Sequence, residues 1–215
     1  MVPTNEEVEL AKNIVINLLE MGAGENLKSL CHGFHSFPKW MKENEMERYG
    51  FEWHYGVTKV CLSCSDLGKW VIKFSFKDIC YDYCKIEFEN YCKAEKRGYS
   101  HYFPATYFLI QSYGVNFYLQ EMADEAEEEI SDVLYGEMAD ELIAEGEDPD
   151  GEWFCDLVAE AVEELDDIYK IEFLFGDYDF AVFLKENRIN DLHSGNFGFI
   201  DGHLVIIDFS GYKGI

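Results

Sequence analysis

Three oxygen-bearing side chains near the end of the sequence raise the first chemical question. Asp191 is followed five positions later by Asn196, in Asp191-Leu192-His193-Ser194-Gly195-Asn196, and Asp208 closes the apolar run Leu204-Val205-Ile206-Ile207. Carboxylate and amide oxygens are hard donors that suit Mg²⁺, an ion that keeps several waters and needs few protein ligands. A carboxylate can also orient or deprotonate a hydroxyl. Far upstream, Trp70-Val71-Ile72-Lys73 places one cation on an apolar strand, and Glu87 follows 14 residues later, where a helix is expected. These types suit phosphoryl transfer, in which charge spreads over oxygens and catalysis is mostly positioning and neutralisation. Each residue also has a plainer use. Asp and Asn close turns, Asp208 could cap a terminal turn, and Lys73 and Glu87 could be surface charges.

The elements that must position these groups follow from periodicity. Val8, Ala11, Ile14, Val15, Leu18 and Leu19 recur at helical spacing over 5–21, Thr4 and Glu7 form a capping box, and Gly22-Ala23-Gly24 ends the run. Phe34, Phe37, Trp40 and Met41 suggest a short packed segment. Residues 1–48 thus read as a helical extension covering the domain. From Gly50 the chain becomes strand-rich: Val57 to Ser63 alternates, Ser65-Asp66-Leu67-Gly68 turns, and Trp70 to Phe74 returns. A helix over 79–97 carries Ile86, Tyr91 and Ala94 on one side. Strands at 105–111 and 116–121 follow. Beyond Met122, one helix is marked by Ile130, Val133, Leu134, Met138, Leu142 and Ile143. A second runs from Trp153 through Leu157, Val158, Ala161, Val162 and Leu165 to Ile168, with the breaker Gly146 to Gly151 between them. Asp201-Gly202 marks a closing hairpin. The expected divisions are 1–48, 49–122 and 123–215.

Composition bounds the partners. Hydrophobic residues are 48% of the chain and aromatics 16%, enough for a packed core. No apolar run reaches membrane-spanning length, and the acidic N-terminus lacks a secretion signal. A cytoplasmic protein with no membrane association is expected. The seven cysteines are then expected reduced. Cys61-x-x-Cys64 with Cys80-x-x-x-Cys84 invites a zinc site, but residues three apart on a strand face opposite ways, and packed free thiols are the preferred reading. The net charge is −26, from 43 acidic and 17 basic residues. No Lys or Arg occurs between Arg97 and Lys170. Direct binding to nucleic acid is excluded on this ground, because the surface would repel phosphates. A basic protein partner for the acidic helices of 124–167 fits, as does a merely solvated face.

The order of elements and the residues on them resemble the protein-kinase-like fold, in its aminoglycoside-phosphotransferase and atypical-kinase branch. Asp191-Leu192-His193-Ser194-Gly195-Asn196 matches an Asp-Leu-His-x-Gly-Asn catalytic loop. Asp208-Phe209-Ser210-Gly211 resembles an Asp-Phe-Gly metal motif with one residue inserted. The resemblance implies an α+β fold with an antiparallel-sheet N-lobe and a minimal, mostly helical C-lobe ending in a β-hairpin. It implies ATP and Mg²⁺ as ligands, with Lys73 on the phosphates and Glu87 holding it (Glu89 as second choice). Asp191 would face the acceptor hydroxyl, Asn196 and Asp208 would hold the metal, and Glu121 and Met122 would lie at the adenine. His193 would fix the loop's shape through a hydrogen bond. The sequence departs from the family in having no Gly-x-Gly-x-x-Gly loop, leaving Gly56 as the glycine near the phosphates, and in having Ile189-Asn190 before Asp191. It ends seven residues past Asp208, before the family's acceptor-binding segment would be built.

Two functions of different classes are expected from these features. One is a minimal phosphotransferase acting on a hydroxyl of itself or of a bound protein. The other is a non-catalytic kinase-like protein whose acidic helices mimic DNA and inhibit a basic nucleic-acid-binding protein, as would suit a phage or mobile element.

Overall fold

A computed structural model describes residues 1–28 and 37–211. Phe34 and Cys31 lie outside the described residues. The chain is α+β and divides into two compact units, Met1–Met122 and Ala123–Ile215.

The first unit is built on a five-stranded antiparallel sheet. Its strands are β1 (Phe51–Tyr55), β2 (Lys59–Cys64), β3 (Trp70–Ser75), β4 (Thr106–Ser112) and β5 (Val115–Glu121), in the order β1-β2-β3-β5-β4. Side chains alternate across a strand, and here the two faces differ in chemistry. Val60, Leu62, Trp70, Ile72, Phe74, Phe117 and Leu119 form one face and belong to the hydrophobic core. Opposite pairing of Cys61 with Lys73, Lys59 with Ser75 and Lys73 with Tyr118 puts a polar set on the other face.

The apolar face is covered by the N-terminal residues. Helix α1 (Asn5–Glu20) buries Ala11, Val15, Leu18 and Leu19 in the core that holds the sheet residues, and α2 (Phe37–Glu43) adds Phe37 and Met41. Helices α1 and α2 therefore share their hydrophobic core with the sheet. Helix α1 starts at a full capping box: Glu7 N–H donates to Thr4 Oγ1 at 3.2 Å, and Thr4 N–H donates to Glu7 Oε2 at 2.6 Å. Glu7 Oε1 also accepts from Trp70 Nε1 at 2.9 Å, which pins the helix start to β3.

Helix α3 (Tyr83–Arg97) packs against β3, β4 and β5. Its start differs from the 79–97 expectation because the Asp82 carboxylate accepts from Lys85 N–H and sets the cap there. Its buried face is partly polar, with Glu87 and Asn90 beside Cys84, Tyr91 and Ala94, while Ile86 is only half-buried. The reason is the sheet face that it covers, which carries lysines.

The second unit holds α4 (Glu127–Glu145), α5 (Phe154–Glu164), α6 (Asp167–Phe175) and α7 (Tyr178–Glu186). A small sheet of β6 (Asp124–Glu125), β7 (Phe197–Ile200) and β8 (His203–Ile206) completes it. The single helix expected from Trp153 to Ile168 is two. Asp166 leaves helical geometry and its carboxylate accepts from Ile168 N–H at 2.7 Å, so it caps a new helix. The β7–β8 turn has Asp201 at φ 50° and Gly202 at φ 78°, the left-handed pair that a tight hairpin requires. Among the described residues, no helix is long and apolar enough to cross a membrane.

Candidate functional site

In the first unit the polar residues converge on one carboxylate. Glu87 is 1% exposed. Its Oε1 lies 2.7 Å from Lys59 Nζ and its Oε2 lies 2.8 Å from Lys73 Nζ. Gln120 Nε2 approaches Glu87 Oε2 at 3.5 Å and donates to Thr106 Oγ1 at 2.9 Å. Glu89 instead faces Lys85 at 3.8 Å on the exposed side of α3. Buried charges persist only when paired and hydrogen-bonded, and this cluster meets that condition with residues from four strands and a helix.

Lys59 was not singled out from the sequence. Its signal was a period-two relation to Cys61, which becomes visible only once the hairpin register puts Cys61 opposite Lys73. The thiols around the cluster are held neutral. Burial pushes the Cys61 thiol up against the opposing pull of Lys73, and burial also pushes up Cys84. Cys64, three residues from Cys61, lies in the apolar core. Among the described residues, no group of three His, Cys, Asp or Glu side chains is arranged to hold a metal.

The other residues chosen in this unit have specific surroundings. Gly56 sits in the β1–β2 turn with open space beside it, and its N–H donates to Lys59 O at 3.1 Å. The N–H groups of Glu121 and Met122 donate to Ala105 O at 2.9 Å and to Lys69 O at 2.8 Å, so both are used within the protein. The buried Glu121 carboxylate faces the N-terminal ammonium of Met1 at 3.6 Å, and Tyr107 Oη donates to Met1 O at 2.7 Å.

In the second unit the loop before β7 brings Asp191 and Asn196 together. Asn196 is buried, and its Nδ2 donates to Asp191 O at 2.6 Å. Its N–H donates to His193 O at 2.9 Å, and its carbonyl accepts from Ile207 N–H at 2.9 Å. An amide fixed through Nδ2 has its Oδ1 free to turn toward a cation. The hydrogen bond that shapes the loop therefore comes from Asn196. His193, expected in that role, has an exposed ring 4.0 Å from Asp191 Oδ1. The reason is geometric: the single turn Ser194–Asn196 carries Asn196 back over Asp191 and leaves His193 outside.

Asp208 follows β8 and its Oδ1 accepts from Ser210 Oγ at 3.1 Å. Gly211 then locks this segment to the start of the loop. It has φ +69°, and a Cβ there would lie 1.8 Å from Arg188 O and 3.2 Å from Asn190 Oδ1. Only glycine tolerates both the backbone angle and the approach.

Comparison with protein-family models, curated proteins and solved structures gave no match. The chemistry therefore rests on the two residue sets themselves.

Proposed function

We propose that this protein is a minimal ATP- and Mg²⁺-dependent phosphotransferase of kinase-like type, acting on a hydroxyl of the chain itself or of a bound protein. The observation that carries this reading is the buried Lys73–Glu87 pair at 2.8 Å, a rigidly held cation of the kind that positions phosphates. Asn196 and Asp208 would hold Mg²⁺, since both offer hard oxygens and the Asn196 amide is already oriented. The ion would neutralise charge on the phosphate oxygens. Asp191, half-buried beside the fixed amide, would take the proton of the acceptor hydroxyl as its oxygen bonds to phosphorus and the bond to the departing ADP breaks. Met122, with its side chain exposed, would lie against the adenine, and Gly56 would border the phosphates.

Calorimetric titration of ATP with Mg²⁺ into the wild type, Lys73→Ala and Asp208→Ala tests the reading. Micromolar binding that both variants lose supports it. No binding at millimolar ATP, or unchanged binding in Asp208→Ala, sinks it.

A second reading, binding of a basic protein through the acidic helices, draws on a separate observation. Large aromatics stand exposed among the acids: Trp153 is 70% exposed, and Tyr169 and Phe173 stack at 6.3 Å with Tyr169 Oη bonded to Glu141. Exposed aromatics favour protein contacts. Reversing Glu128 and Glu129 to Lys must abolish partner capture if this reading holds. Glu127 is unsuitable for that test because its carboxylate lies by Gly195 in the Asp191 loop.

A further inference from the structure

In the described part of the second unit there are three basic side chains, Lys170, Lys185 and Arg188, in a segment otherwise crowded with acids. All three line one cavity of about 640 Å³. That volume lies within the range of small-molecule sites. Half-buried Leu165 and Ile168, backed by buried Ile171, Leu184, Ile189 and Leu192, supply an apolar wall.

The central cation is Lys170, which is 8% exposed. A buried ammonium needs partners for its three donors. Among the described residues it has Asp167 Oδ1, at a long 3.4 Å. The acids that also line the cavity are partly engaged. Asp166 caps α6, Asp167 faces Lys170, and Glu163 is exposed. The backbone at Arg188, in the same lining, is fixed: it holds φ 58°, and its carbonyl is packed against Gly211.

We propose that this cavity binds a small amphipathic anion: a carboxylate or phosphate monoester carried on an apolar body. The anionic head would meet Lys170, Lys185 and Arg188, and the body would lie on the apolar wall. Ile189 and Leu192, in that wall, lead into and out of Asp191, so an occupant would stiffen the loop on both sides of it. The negative field of the protein opposes anions at long range, but it is screened beyond about 8 Å at physiological salt.

The test uses the full chain without nucleotide, so its outcome is independent of the ATP reading. Decanoate, decyl phosphate and decanol are titrated by calorimetry in 0.15 M salt, and backbone hydrogen exchange is followed with each. Saturable binding of either anion, with slowed exchange over 165–192, is expected. Whichever anion binds more tightly identifies the head group. The double variant K185Q/R188Q, whose side chains are exposed, is expected to weaken binding by about tenfold or more. Lys170→Met is expected to weaken it further, and far-UV circular dichroism checks that both variants fold. Decanol binding as tightly as the anions, unchanged affinity in a folded K185Q/R188Q, or no binding at millimolar anion would each overturn the proposal.

Discussion

The two units treat their carboxylates differently. In the first, the Glu87 carboxylate is removed from water and surrounded by Lys59, Lys73 and Gln120. In the second, most acids of α4 and α5 stay in solvent, and its buried polar residues include the neutral Asn196, bonded to backbone, and Lys170, which faces the Asp167 carboxylate at 3.4 Å. The first arrangement builds a position: moving any member takes a close partner from a buried charge. The second builds a surface and a loop whose shape depends on main-chain carbonyls. Charge density along a sequence is therefore a poor guide to where charge matters structurally. The crowded acids cost little to change, whereas Glu87, one of three acids on α3, is central to its unit.

Substitutions can break that contrast or sharpen it. Glu87→Ala should have the largest effect. Leaving two buried lysines without their shared carboxylate should cost about 3–5 kcal/mol, read by urea denaturation, and a loss under 1 kcal/mol would erase the distinction between the units. Gly211→Ala should cost about 2–4 kcal/mol from backbone strain and overlap with Arg188 O, seen as a lowered Tm. Asn196→Ala should cost about 1–3 kcal/mol by leaving Asp191 O unsatisfied, and faster hydrogen exchange over 191–197 would locate the loss. At the low end, Glu128→Lys with Glu129→Lys should change stability by no more than about 0.5 kcal/mol. A large loss there would show that the acidic face is structural.

Acidification gives a further test at the start of α1. The Thr4 backbone N–H, helped by the Thr4 hydroxyl and Trp70, holds the Glu7 carboxyl below its ordinary value of 4.5. Because the folded value is depressed, the contribution of Glu7 is present above the unfolded value and is lost as pH falls through the folded one. NMR titration of Glu7 should give a midpoint below 4.5, and Thr4→Ala should move it upward. The same substitution should cost about 1 kcal/mol through the lost cap.

How much was legible varied with the kind of signal. The Thr4–Glu7 box, the β2–β3 return and the Asp201-Gly202 hairpin are local patterns, and the structure forms all three. Strand β1 was not anticipated as a separate strand, although Phe51-Glu52-Trp53-His54-Tyr55 alternates in hydropathy, because it is a short and largely exposed edge. The break at Asp166 was hidden, because apolar spacing continues across it while the cap is a single side-chain bond. The polar face of α3 ran against amphipathic expectation, since a helix normally turns its apolar side to a sheet.

The sequence by itself determined the α+β character, the local turns and caps, the segregation of acid between Arg97 and Lys170, and the residue types able to handle phosphate and Mg²⁺. These depend on neighbours a few positions apart, where propensity and spacing act directly. Only the tertiary structure decided that Lys59 shares Glu87, that Asn196 rather than His193 shapes the loop, that Gly211 locks against Arg188, and that three scattered cations line one hollow. Those contacts depend on strand register, helix packing and loop geometry, none of which hydropathy spacing along a single strand or helix encodes.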